Sequence, residues 1–155
     1  MDKILSSVLI VDANGSGPNV YPTIEQATLN SKMGDTIIIT AGTYQVPILT
    51  TVKHTKLFGM EGVIVYTKNL TCPLTTIENI VFHNMDKCCL YIRDSPDVIF
   101  RNCELHCKSY SKFCLRLKNS SVIYYNTLFL ISCNNSDIVQ VITSKDCKYL
   151  IFQSP

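Results

Sequence analysis

The chain has 155 residues, a formal net charge of +2 at pH 7, and 46% hydrophobic against 17% charged residues. This composition excludes a disordered chain, and no apolar run reaches the roughly 18 residues that a membrane span needs. The near-neutral charge also argues against a dedicated nucleic-acid binder, so we expect one compact domain, residues 1–155, with no membrane or nucleic-acid partner.

The N-terminal apolar stretch is typical of a strand rather than of a secretion signal. Asp2 precedes it, and no small-x-small cleavage site follows it. We therefore expect a strand at residues 8–11, no signal peptide, and a cytoplasmic location. In a reducing compartment the eight cysteines would remain free thiols that pack as small hydrophobes, and disulfides are the less favoured alternative.

One segment, residues 23–32, has helical spacing. Thr23 is placed to act as the N-cap, and Gln26 stands three residues further on, as in a capping box. The apolar positions are Ile24, Ala27 and Leu29. The β-branched run that follows at 36–40 predicts a buried strand.

The second half of the chain contains internal repeats. One element reads apolar-apolar-aromatic-x-Asn and occurs at 80–84, 98–102 and 122–126, with a degenerate copy at 150–154. A second element follows at 89–92, at 114–117 and, more loosely, at 138–141. Strands this short cannot bury their own apolar faces, but stacking equivalent strands in parallel buries all of them in one core.

The repeats therefore predict an all-β fold, a parallel β-helix with a short N-terminal capping helix. In this interpretation the aromatic residues Phe82, Phe100 and Tyr124 form one column. The residues Asn84, Asn102 and Asn126 form a structural ladder at a sharp bend, because asparagine tolerates the left-handed conformation and its amide can bond to the next coil. Cys89 and Cys114 are expected to stack inward.

The N-terminal third resembles the opening of pectin-lyase-like proteins, which are single-stranded right-handed β-helices. The motifs that carry the resemblance are at 11–17, 21–27, 34–39, 41–44 and 57–59. The resemblance implies a right-handed coil for the whole chain, with the helix covering its N-terminal end. The enzymes of this family act with clustered carboxylates, and their catalytic motifs are not found here.

No pair of carboxylates recurs in register along the repeats. The positions that correspond to Asp97 are Asn79 and Ser121, whereas glycoside chemistry needs two carboxyl groups about 5–9.5 Å apart. We therefore predict no catalytic residue. The alternative is that Asp94 meets Asp97 or Glu104 across a turn.

The histidines and cysteines do not have metal-site spacing. His83, His106 and the cysteines of 103–107 match no zinc pattern. We expect structural thiols, no metal and no cofactor.

A basic region in the centre of the chain is the predicted ligand-binding surface. It comprises Tyr91, Arg93, Arg101, Arg116 and Lys118. Tyr91 and Arg116 share one outward register, and Arg93 and Lys118 share another, so a positive stripe beside an aromatic ring could hold an acidic polysaccharide or another anion. The alternative, a solvated face that also protects against edge pairing, is favoured.

The function predicted from the sequence is a non-catalytic structural, assembly or binding module. An open coil end at 150–154 favours self-association. By analogy with β-helices in viral tails and capsids we expect a homo-oligomer, a trimer in particular, and the composition looks similar to that of proteins of large DNA viruses, which adds a virion-associated location. The alternative is a polysaccharide-active or acidic-carbohydrate-binding protein that uses the basic face.

Overall fold

The computed structural model describes residues 6–86, 90–109, 115–133 and 141–143. The first elements are β1 (Val8–Val11), β2 (Val20–Tyr21), α1 (Ile24–Asn30), β3 (Thr36–Ile39), β4 (Gly42–Gln45), β5 (Ile48–Thr50), β6 (Lys56–Gly59), β7 (Val63–Thr67) and β8 (Asn69–Thr71). They are followed by β9 (Thr76–Glu78), β10 (Val81–Asn84), β11 (Leu90–Arg93), β12 (Val98–Arg101), β13 (Glu104–Ser109), β14 (Leu115–Lys118), β15 (Val122–Tyr125), β16 (Leu128–Cys133) and β17 (Val141–Thr143).

Every strand pair is parallel, and the strands form three sheets along one axis. Sheet A has the order β15-β12-β9-β6-β3-β1-β2, sheet B the order β16-β13-β10-β7-β4, and sheet C the order β17-β14-β11-β8-β5. From β3 onward the chain therefore visits sheets A, B and C in turn, five times. This confirms the predicted parallel β-helix, whereas the right-handed sense stays a prediction.

The interior follows from the alternation of residues along each short strand. In sheet A one inward column runs through Leu57, Ile77, Phe100 and Tyr124, which are neighbours in the strand register. Phe100 is fully buried and its ring meets that of Phe82 at 90°, with the centroids 6.1 Å apart. Each fully buried side chain of this size contributes roughly 1.5–3 kcal/mol, so the stacked columns stabilise the coil.

The helix lies where the sequence predicts it, although it is shorter than residues 23–32. Thr23 is the N-cap, and its hydroxyl accepts a hydrogen bond from the backbone N–H of Gln26 at 3.2 Å. Ile24 and Ala27 are buried, and the helix contacts β1, β2 and β3. Leu29, predicted to belong to the apolar face, is 83% exposed.

The column proposed for Phe82, Phe100 and Tyr124 is wrong in one member. Phe100 is the register partner of Tyr124 in sheet A, but Phe82 lies in sheet B, where it pairs with Val65 and Leu105. The same aromatic template occurs in strands of two different sheets, so residues 80–84 and 98–102 are not equivalent. The two phenylalanines meet across the core instead.

The asparagine ladder requires the same correction. Asn126 donates from its amide to the side-chain oxygen of Asn102 at 2.7 Å, and both residues have positive φ at the corner between sheets A and B. The residue one coil earlier is Asn79, whose side chain donates to the carbonyl oxygen of Gly59 at 2.7 Å. Asn84 lies in sheet B, where its amide bonds with the backbone of Lys108.

The second repeat element has the predicted register in two of its three copies. Leu90 pairs with Leu115. The third copy is shifted by two residues. Leu115 pairs with Val141, whereas the alignment of the repeats predicted Val139. The expectations for Cys89, Cys114 and residues 150–154 lie outside the described residues.

Candidate binding surfaces

The outer face of sheet C carries a compact basic cluster, formed by Tyr91, Arg93, Arg116 and Lys118. Tyr91 pairs with Arg116 and Arg93 with Lys118, which is the register that the sequence predicts. The guanidinium carbons of Arg93 and Arg116 lie 5.3 and 5.2 Å from the centroid of the Tyr91 ring. Cation–π contacts of this length hold both guanidinium groups beside one aromatic ring.

Arg101, the fifth residue of the predicted ligand surface, belongs to another face. It lies at the end of β12 in sheet A, and its guanidinium carbon is 4.4 Å from the centroid of the Tyr125 ring. The fold therefore brings four of the five predicted residues together and separates the fifth from them. In the sequence analysis Arg101 was grouped with the other four residues because they are close along the chain, but β12 could not be assigned to a different sheet.

The acidic residues beside the basic cluster hold the corner between sheets C and A. The Asp94 carboxylate accepts a hydrogen bond from the side-chain amide of Asn119 at 3.2 Å. The Asp97 carboxylate accepts one from the Ser121 hydroxyl at 2.9 Å. Each bond joins one coil to the next, so these carboxylates have a structural role in this arrangement.

Three aromatic side chains stack on the outer face of sheet B. The ring centroids of Tyr66 and His83 are 4.9 Å apart, and those of His83 and His106 are 4.6 Å apart, with nearly parallel planes. Nε2 of His106 lies 3.0 Å from a carboxylate oxygen of Glu104. Burial and the neighbouring His106 lower the pKa of His83, against a smaller opposing effect of Glu104. Burial and a nearby imidazole both disfavour a positive charge on His83, so His83 is neutral at pH 7.

Cys72, Cys103 and Cys107 are buried inside the coil as thiols. Burial raises the pKa of Cys72 to about 12 and that of Cys103 to about 11. Since the thiolate is the reactive and metal-binding form, these two thiols are chemically quiet at neutral pH. In the described parts of the chain no group of three or more His, Cys, Asp or Glu side chains is arranged to hold a metal ion.

The outer face of sheet A is a surface that the sequence analysis did not predict. We define the sheet A face as two rows of outward residues that run along the coil axis. The first row is Val8, Thr36, Lys56, Thr76, Ile99 and Ile123, and the second is Ile10, Ile38, Phe58, Glu78, Arg101 and Tyr125. Four of the apolar members are at least 36% exposed: Val8 49%, Ile10 36%, Phe58 39% and Tyr125 50%.

Two open grooves accompany these surfaces. One, of about 430 Å³, runs between α1 and β5 and is lined in part by Leu29, Ile48 and Val52. The other, of about 290 Å³, lies on the sheet A face around Phe58, with Lys56 and Glu78 at its rim.

The fold and these faces define a parallel β-solenoid whose outer rows form one apolar, one basic and one aromatic surface. No protein-family profile, curated protein or solved structure matches the chain. Among the described residues, α1 is the only helix, and it is too short to cross a membrane.

Proposed function

We propose that this chain is a non-catalytic β-helix module that acts by assembly or binding, as a homo-oligomer. The exposed apolar side chains of the sheet A face carry the proposal, because apolar side chains gathered on one face and accompanied by polar residues are typical of a protein-contact surface. In this proposal the chain is a right-handed, pectin-lyase-like solenoid that serves as a structural part, in the cytoplasm or in a virion of a large DNA virus.

The use of the acidic side chains also supports a structural role. Asp94 and Asp97 bond to the next coil, and Asp35 accepts hydrogen bonds from the backbone N–H groups of Ser7 and Lys32 at 2.8 and 2.7 Å. Glu104 is paired with His106. These carboxylates are engaged in holding turns and neighbouring strands, not gathered around a cleft.

The mass in solution tests this proposal. We expect light scattering to give a mass above 17.4 kDa that rises with protein concentration. A trimer would agree with the analogy to viral β-helices, and a dimer would agree with a single self-complementary face. A strict monomer up to the solubility limit would overturn the proposed assembly.

The basic cluster on sheet C favours a second candidate function, binding of an acidic polysaccharide. Arg93 and Arg116 both lie against the Tyr91 ring, and Lys118 pairs with Arg93 in the next strand. Guanidinium groups match the planar carboxylates of uronic acids, and the ring could stack on a sugar.

Removal of two charges from this cluster is expected to weaken binding to polygalacturonate about tenfold or more. The test compares Arg116→Gln/Lys118→Gln with Lys32→Gln/Lys53→Gln, which removes the same charge elsewhere, by titration at low and physiological salt. Binding by the wild type that is lost equally in both variants would mean unspecific charge attraction and would contradict the site. Release of unsaturated or reducing ends, with or without calcium, that is abolished in Asp94→Ala would show an enzyme and would overturn the non-catalytic proposal.

A further inference from the structure

We propose that the sheet A face binds the same face of a second copy, with the two coil axes parallel and a two-fold axis running between them. This inference rests on the proposed homo-oligomer and specifies the surface, the symmetry and the register. It concerns the outer side of sheet A, away from the basic cluster on sheet C.

The composition of the two rows points to a protein partner rather than to solvent. Each end of the face is apolar, with Val8 and Ile10 at one end and Ile123 and Tyr125 at the other. Charged residues occur only in the middle, where Lys56 stands in the first row and Glu78 and Arg101 stand in the second. An apolar surface with a few charges at fixed positions is the usual composition of an interface.

The placement of the charges supports a two-fold axis parallel to the coils. Rotation about an axis parallel to the coil brings the first row of one copy against the second row of the other, at the same height. Lys56 then faces Phe58 of the second copy, and Glu78 of that copy is offset from it along the coil axis by one strand spacing of about 4.8 Å, within reach of a lysine side chain. Because the contact is isologous, this opposite-charge pair forms twice, and no like charges face each other directly.

The parallel arrangement also covers the whole face. Both copies begin and end at the same height, so every described strand of sheet A from β1 to β15 meets its counterpart. Reversing one copy to pair Glu78 with Arg101 would place Val8 and Ile10 opposite no described strand of sheet A. In an isologous contact one partner covers the face completely, which favours a dimer over the trimer expected from the viral analogy.

The size of the face predicts a weak complex. Twelve outward residues per copy form the two rows, fewer than the roughly 20–30 per side of a standard stable interface. We therefore expect a monomer–dimer equilibrium in the micromolar range, which sedimentation velocity resolves over a concentration series.

Charge substitution at Phe58 tests the surface. In Phe58→Lys the new lysine faces Lys56 of the other copy, so we expect the dissociation constant of the dimer to rise at least about tenfold. The control is Ile48→Lys, which introduces the same charge at a more exposed apolar position, 61% against 39%, on the outer side of sheet C. It should leave the dissociation constant unchanged, and both variants should retain the wild-type circular dichroism and melting temperature.

A second substitution tests the register. In Phe58→Lys/Lys56→Glu each new lysine faces a new glutamate of the other copy, so association should recover by at least about threefold relative to Phe58→Lys. No recovery would overturn the parallel register. A wild-type dimer that Phe58→Lys does not weaken, or a stable trimer, would overturn the inference and leave the homo-oligomer intact. A strict monomer at all concentrations would overturn both.

Discussion

Replacement of Phe100 by alanine is expected to lower the free energy of unfolding by about 3–5 kcal/mol. Phe100 is completely buried at the centre of the coil, and it packs against Ile77 and Tyr124 along sheet A and edge-on against Phe82 of sheet B. Its removal leaves a cavity at the contact of two sheets. Because the coil is a stack, the neighbouring coils cannot close this cavity without losing their own register.

Urea unfolding followed by circular dichroism measures this effect at low micromolar protein. The matched control is Phe58→Ala, which makes the same chemical change at an outward position of the same sheet, 39% exposed. We expect the control to lose less than about 1 kcal/mol. Equal losses in the two variants would contradict the assignment of Phe100 to the interior.

Replacement of Gly59 by alanine is expected to cost about 1–3 kcal/mol, although only one methyl group is added. A Cβ atom at this position would lie 2.5 Å from the carbonyl oxygen of Asn79 and 2.8 Å from Cγ1 of Ile80. The nearest atom belongs to the backbone of the next coil, so it cannot move away as a flexible side chain would. The shift would also break the bond from the Asn79 amide to the Gly59 carbonyl.

Thermal and urea unfolding of Gly59→Ala should be compared with Lys56→Ala. Both variants place an alanine in β6, but Lys56 points outward and its replacement meets no close contact. A melting temperature of Gly59→Ala equal to that of Lys56→Ala would mean that the coils do not approach as closely here as the structure has them.

The coil itself could be predicted because its determinants are local and repeated. The short apolar strands, the asparagines at corners and the capping box at Thr23 each follow from residue type and spacing. The register of Tyr91 with Arg116 could also be predicted, since residues 90–92 and 115–117 occupy the same place in consecutive coils. Leu29 was wrongly assigned to the buried face of the helix. Helical spacing gives the apolar positions, but it does not show how far the coil beneath the helix extends.

The register of the first element could not be predicted from the template alone. Each coil contains three strands, and the pattern that ends in asparagine occurs both in sheet A and in sheet B. Asn84 of sheet B was therefore wrongly assigned to the column of Asn102, which follows a strand of sheet A. A coil length of at least 20 residues would have identified the true column. Gly59, Asn79, Asn102 and Asn126 follow one another at intervals of 20, 23 and 24 residues, whereas residues 80–84 and 98–102 are only 18 apart.

The candidate binding surfaces also differ in whether the sequence could predict them. The basic cluster on sheet C was predicted because its residues lie in one repeated element. The sheet A face was missed because its members are single apolar residues in successive coils, among them Ile10 and Phe58. The stack of Tyr66, His83 and His106 was missed for the same reason, since adjacent members come from different coils. Such rows become visible only when the coil length is known.

Nuclear Overhauser contacts between backbone protons of Phe100 and its strand neighbours would test the stacking most directly. The described register places Tyr124 and Ile77 on either side of Phe100 in sheet A, at a strand spacing of about 4.8 Å. We predict cross-strand contacts of the Phe100 backbone with both residues, and contacts to Phe82 between the rings only. Backbone contacts between Phe100 and Phe82, with none to Tyr124, would contradict the arrangement of the coils.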